Sequence, residues 1–320
     1  TATGTVSLTI TGTVTYMWLT NTAFRAAPVV TAASPVARLA DNTTIPDWQA
    51  FVERYSLLDG LTVSGTLNID RLSAANNRTI FQAGSANEFA RLDFTTGNRF
   101  RMTLQTLGPE LNANPGNPYS STTGYVSSDP SATLSVVANN LRLTSGDTTT
   151  FRRIEYTLST VAGKMYRVKF RASATAAGAT ARNWTNVVSS PIIALGSAAT
   201  NEVLIEATST SSVLRFYIAT SGTVVIGDYV ELEFLEISEL VPLTLESGII
   251  GSAGLYDISS RFKPGDYALT VSGGVAGDTD ASVETLPDAI RTNPAYVGRD
   301  IAGSLHWNGN IPSFKIGKAG

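Results

Sequence analysis

Cysteine is absent from this 320-residue chain. That excludes a disulfide framework, a thiolate zinc site and a cysteine nucleophile. Histidine occurs once, as His306, so no pair or triad of imidazoles can hold a metal, and one candidate at most remains for a Ser-His-Asp triad. Charge is scarce as well. Asp, Glu, Lys and Arg make up 15% of the residues, well below the roughly 25% of an average globular chain. With 23 Lys+Arg against 26 Asp+Glu, the formal net charge is −3. No basic excess exists to neutralise phosphates, which excludes nucleic-acid binding driven by bulk charge. No run of about 18 apolar residues occurs, so no helical membrane insertion is expected. The chain begins with Thr1 rather than Met. It is therefore expected to be processed or partial, and the lack of a signal peptide says little about export.

Thr, Ser, Ala, Gly and Asn take the place of charge. Thr and Ser suit strands or turns and keep a surface wet without charge. The hydrophobic content of 43% argues against disorder. At about 150 residues per domain the length suggests two domains with an appendage.

The pattern along the chain is that of strands. In residues 1–20, Val6, Leu8, Ile10, Val14, Tyr16 and Trp18 alternate with Ser, Thr and Gly. A Pro/Ala-rich arm follows to residue 44, and residues 1–44 are expected to anchor or assemble the protein. The competing arrangement is a ribbon added to the edge of the next domain's sheet. One short helix is expected near Trp48, with Thr44 as a possible cap. Strands return at 61–70, 78–83, 90–96 and 100–106, separated by turn residues. At Gly108-Pro109 the pattern breaks. Eight strands then follow between 132 and 240, the number of a two-sheet jelly roll, and Pro242 closes the series. About five more lie beyond 243. Neither 45–107 nor 243–320 suffices alone, but together they equal one ordinary sandwich domain. The expected fold is all-β: a sandwich of 45–107 plus 243–320, interrupted by an inserted jelly roll of 108–242.

Candidate enzymatic features are weak. Glu231, Glu233 and Glu239 share a strand face, which an ordinary solvated sheet explains equally well. Ser304 and His306 lack a nucleophile-elbow sequence. Gly251-Ser252-Ala253-Gly254 is a turn without the Lys of a phosphate loop. Asp278-Thr279-Asp280 reads as a polar turn rather than a calcium loop. No catalytic residue, metal or cofactor is expected.

Sugar binding needs aromatic faces for C–H patches and polar groups for hydroxyls. The candidates are Arg182 and Trp184 in an Ala/Gly-rich loop, Arg153, Arg215 and Tyr217 on outward strand positions, and His306, Trp307 and Asn308 beside a C-terminal turn. Packing is the stronger of the two readings for either Trp.

The segment Ala295-Tyr296-Val297-Gly298-Arg299-Asp300 through His306-Trp307-Asn308-Gly309-Asn310-Ile311 is similar to the end of concanavalin A-like (laminin G-like) lectin domains. Arg78–Gly84, Ala90–Phe94 and Asp266–Gly274 resemble other strands of that fold. The middle segment resembles a carbohydrate-binding-module jelly roll. Its carrying residues are Gly108-Pro109-Glu110-Leu111, Leu141–Gly146, Thr160-Val161-Ala162-Gly163-Lys164-Met165-Tyr166 and Phe234–Leu240. Phe234-Leu235 stand where relatives often carry an acidic pair, so a calcium site is not carried over. Together the two modules resemble receptor-binding fibres or spikes of tailed bacteriophages and gene transfer agents. The resemblance implies a virion protein that binds bacterial surface polysaccharide, contacts other virion proteins and assembles as a homo-oligomer, a trimer by analogy. A purely structural spike and a polysaccharide depolymerase are the alternatives.

Overall fold

The computed structural model describes residues 6–8, 17–19, 43–45, 47–70, 72, 77–116, 118–196, 198–303, 307 and 310–319. Among them, strands and their turns account for nearly all of the chain, which forms antiparallel β-sandwiches. The chain divides into two compact units. The outer unit joins Thr1–Thr106 to Val241–Gly320, and the inserted unit is Leu107–Leu240.

In the outer unit one sheet has the order 17–19, 6–8, 310–318, 61–69, 254–262, 267–271, 278–280. The other runs through the beginning of Phe100–Glu110, then 89–94, 78–84, 295–297 and 43–44. Period-two alternation buries Leu61, Val63 and Leu67 from the first sheet against Phe81, Leu92 and Leu104 from the second. Phe81 and Phe314 meet across the layers with centroids 6.1 Å apart. The strands Val6–Leu8 and Met17–Leu19 pair with each other, and Leu8 pairs in parallel with Phe314. The described part of the N-terminal ribbon thus lies on the edge of its own sheet, the second of the two arrangements weighed from sequence.

In the inserted unit the sheets have five strands each. One is 193–194, 180–181, 211–217, 153–159, 125–127; the other is 200–206, 165–174, the first part of Tyr229–Glu246, 140–145 and 132–137. Phe170 from the second packs edge-on against Phe216 from the first at 5.1 Å. The core includes Ile154, Leu158, Val168, Leu214 and Leu232.

Several local expectations are corrected. Pro109 and Pro242 do not end strands: Phe100–Glu110 and Tyr229–Glu246 run through them. Proline's fixed φ is compatible with extended backbone, and only its missing N–H is lost. Thr44 is not a helix cap, because it lies in the strand Thr43–Thr44 opposite Tyr296. The helix Trp48–Arg54 starts instead after Asp47, at φ 50°, with no side-chain cap. Tertiary burial replaces the cap: Trp48, Phe51 and Val52 are buried, and Trp48 Nε1 donates to Ile290 O at 2.5 Å. Asp278–Asp280 is not a turn but an edge strand beside Tyr267–Val271. Of the eight strands expected between 132 and 240, the one covering 187–195 shrinks to Ile193–Ala194.

Candidate functional site

The outward face of the five-stranded sheet 125–127/153–159/211–217/180–181/193–194 gathers four of the eight sequence candidates, Arg153, Arg182, Arg215 and Tyr217. On the strand Arg153–Ser159, Ile154, Tyr156 and Leu158 are buried in the core. Alternation therefore turns Arg153 and Glu155 to the other side. The neighbouring strand Ser211–Tyr217 is in register, with Arg153 opposite Tyr217 and Glu155 opposite Arg215.

Glu155 is the hub. Its Oε1 accepts from Arg153 Nε at 2.7 Å and from Arg215 Nε at 2.9 Å. Burial pushes the Glu155 carboxyl up, but the hydrogen bonds from Arg153 and Arg215 outweigh it and hold the group below the ordinary carboxylate range. Arg215 Nη1 also donates to Asn183 O at 2.6 Å. The Arg153 guanidinium lies 5.4 Å from the Tyr217 ring centroid. Charge-assisted bonds of this kind fix two guanidiniums in place before any ligand arrives.

Tyr217 faces outward by register yet is only 3% exposed. Phe151 covers it, the two rings meeting edge to face at 6.2 Å and 89°. Phe151 itself is 48% exposed and held at φ +68°, its N–H bonded to Ala219 O at 2.9 Å. A bulky aromatic in the left-handed region is an outlier that surrounding structure must enforce. The exposed ring of this face is therefore Phe151, with Tyr217 as its floor. Sequence reasoning missed Phe151 and left Glu155 outside the site. The alternation that turns Glu155 outward was readable in the sequence; Phe151, which precedes the strand and sits in the left-handed region, was not.

Arg182 follows the strand Thr180–Ala181 and donates its N–H to Arg215 O at 3.3 Å, which brings it to the same face. Trp184 corrects the expectation. It is 4% exposed, packs against Phe170 and Phe216, and its Nε1 donates to Arg215 O at 3.1 Å. An indole consumed by the core offers no face to a sugar. Trp307, in the outer unit, is 3% exposed and stands edge-on to Phe94 at 6.3 Å. It too is a packing residue. His306 and Asn308 lie outside the described residues.

Among the described residues no group of three or more His, Cys, Asp or Glu converges to hold a metal. Asp129 and Asp147 approach each other, but the buried Arg152 guanidinium pairs with both, at 3.0 Å to Asp129. Among the described residues no helix is long and apolar enough to cross a membrane.

No family model matches the chain, and no curated protein matches it. Among solved structures, one titled "CBM4 structure and function" is similar at 13% identity and a TM-score of 0.26, covering 43% of this chain and 86% of that one.

Proposed function

We propose that this chain is a binding protein, not an enzyme, and that its inserted unit binds polysaccharide on the face bearing Phe151, Arg153, Glu155, Arg182 and Arg215. One observation carries the reading: a half-exposed aromatic ring, forced into a left-handed backbone, stands beside a pre-ordered pair of guanidiniums. A sugar's C–H patch fits the ring, and its hydroxyls and other oxygens fit the remaining N–H groups. The sequence resemblance to fibre and spike proteins supports the setting: a virion-associated, extracellular protein that attaches the particle to bacterial surface polysaccharide. In that setting the chain is a homo-oligomer, a trimer by analogy, since several copies multiply weak sugar contacts into avidity. Light scattering on the intact chain tests that part, and a monomer would sink it.

Glycan-array binding by the intact chain, compared with Phe151→Asn, tests the site. Asn tolerates the left-handed region, and substitutions at exposed positions usually stay within about 0.5 kcal/mol. The variant should melt as the parent does while losing binding tenfold or more. Release of reducing ends from a bound polysaccharide would replace this reading with a depolymerase. Failure to bind any glycan would favour a rigid structural spike, a reading for which the burial of both Trp184 and Trp307 speaks.

A further inference from the structure

The face described above holds more positive charge than it neutralises internally. The register Thr180↔Tyr217 and Ala181↔Phe216 continues to Arg182, whose N–H reaches Arg215 O. Arg182 therefore stands opposite Arg215, which on its other side stands opposite Glu155. Like charges directly opposed in an antiparallel pair destabilise it. The single carboxylate of Glu155 is already taken by the Nε groups of Arg153 and Arg215. Among the described residues Arg182 has no carboxylate partner, and its Nε is buried without an acceptor. A buried guanidinium N–H left without an acceptor is costly, and in a native protein it calls for an explanation. Asp129 and Asp147 are not available to Arg182, because Arg152 holds both. Three Arg against one Glu leave this face with a net charge of +2, on a chain whose net charge is −3.

We infer that the saccharide taken by this face carries a carboxylate, as a uronic acid does, and that Arg182 receives it. This rests on the glycan-binding reading and narrows it. A guanidinium presents parallel N–H groups whose spacing matches the two oxygens of a planar carboxylate. A carboxylate at the solvent-facing part of the half-buried Arg182 pairs with its guanidinium and places a negative charge between the opposed Arg182 and Arg215. Phe151 then lies two strands away on the same face, positioned for the apolar side of a neighbouring ring in the same polysaccharide.

The test uses the full chain with polygalacturonate, alginate and hyaluronan, each beside its carboxyl-reduced counterpart, and with dextran sulfate. Affinity electrophoresis or calorimetry reads the binding. At least one uronate polymer should bind, and carboxyl reduction should weaken it tenfold or more. Arg182→Gln should lose a similar factor while melting no lower than the parent, since it removes the opposed charge, and Arg182→Lys should recover part of the binding. Equal binding of native and reduced polymer overturns the carboxylate assignment while leaving glycan binding intact. Dextran sulfate binding as tightly as the uronate, with no effect of Arg182→Gln, shows unspecific charge attraction and also overturns it. Binding to none of these polymers overturns it as well. A silent neutral-glycan array on top of that overturns the function proposed above.

Discussion

The indole of Trp184 meets Phe170 at 6.3 Å and Phe216 at 6.2 Å, and its one polar atom is satisfied by Arg215 O. Truncating such a side chain removes its apolar burial and leaves a cavity, together worth about 3–5 kcal/mol for Trp→Ala. Trp184→Ala should therefore lower the stability of the inserted unit by that amount in denaturant melts. A variant that keeps its stability but loses glycan binding would contradict the packing role. Glu155 makes a different kind of statement. Its carboxyl is held below the ordinary range by Arg153 and Arg215, against the opposing push of burial. A depressed carboxylate stabilises the fold above its unfolded value, near pH 4.3, and that contribution is lost as pH falls through the folded value. Glu155→Gln should thus be less stable than the parent at neutral pH, and the gap should close below about pH 4. A gap that is constant from pH 7 to pH 3 would show that the Arg bonds do not depend on the charge.

At the scale of the element, the turn between the strands Arg153–Ser159 and Met165–Ala174 is held by backbone bonds and one tyrosine hydroxyl. Val161 N donates to the Tyr166 hydroxyl at 2.8 Å, Lys164 N to Val161 O at 3.1 Å, and Gly163 N to Ala207 O at 2.7 Å. Gly163 sits at φ +81°, with open space where a Cβ would point. Gly163→Ala therefore meets the backbone penalty alone, about 1 kcal/mol. A thermal melt should show a small loss and unchanged binding; a loss above about 3 kcal/mol would mean the turn itself rearranges. Strand positions were legible from alternation. Gly254–Phe262 and Asn140–Ser145 alternate cleanly, because one face meets a core and the other water. The strands Tyr125–Ser127, Thr180–Ala181 and Ile193–Ala194 are too short for any period to register, and the helix Ala289–Thr292 spans a single turn. The site shared this fate in part. Arg153, Arg215 and Tyr217 follow from alternation. By contrast, Trp184 was misjudged because loop composition does not tell whether a neighbouring sheet edge is open or covered. Phe151 was missed because its left-handed φ is a tertiary constraint.

For the molecule as a whole, the insertion has a physical requirement: the ends of the guest must be close. Within the inserted unit Leu111 N donates to Ile237 O at 2.8 Å, and Glu110 Oε1 accepts from both Asn112 N and Ile237 N at 2.8 Å. The entering segment is then pinned further inside. Asn112 Nδ2 donates to the Tyr125 hydroxyl and to Leu235 O, both at 2.7 Å, and Tyr119 and Tyr125 share a hydroxyl contact of 3.0 Å. Burial pushes the Tyr125 hydroxyl up to about 12, so this network stays neutral across the working range of pH. Its anchors all lie in the inserted unit, as do both halves of the core around Phe170 and Phe216. Residues 107–240 expressed alone should therefore give a soluble domain that melts in one cooperative transition. Tyr125→Phe in that domain deprives buried partners of their hydroxyl and should cost about 1–3 kcal/mol. An aggregated or non-cooperative product from 107–240, with the full chain folding normally, would mean that the unit depends on its host and that the ends are held from outside.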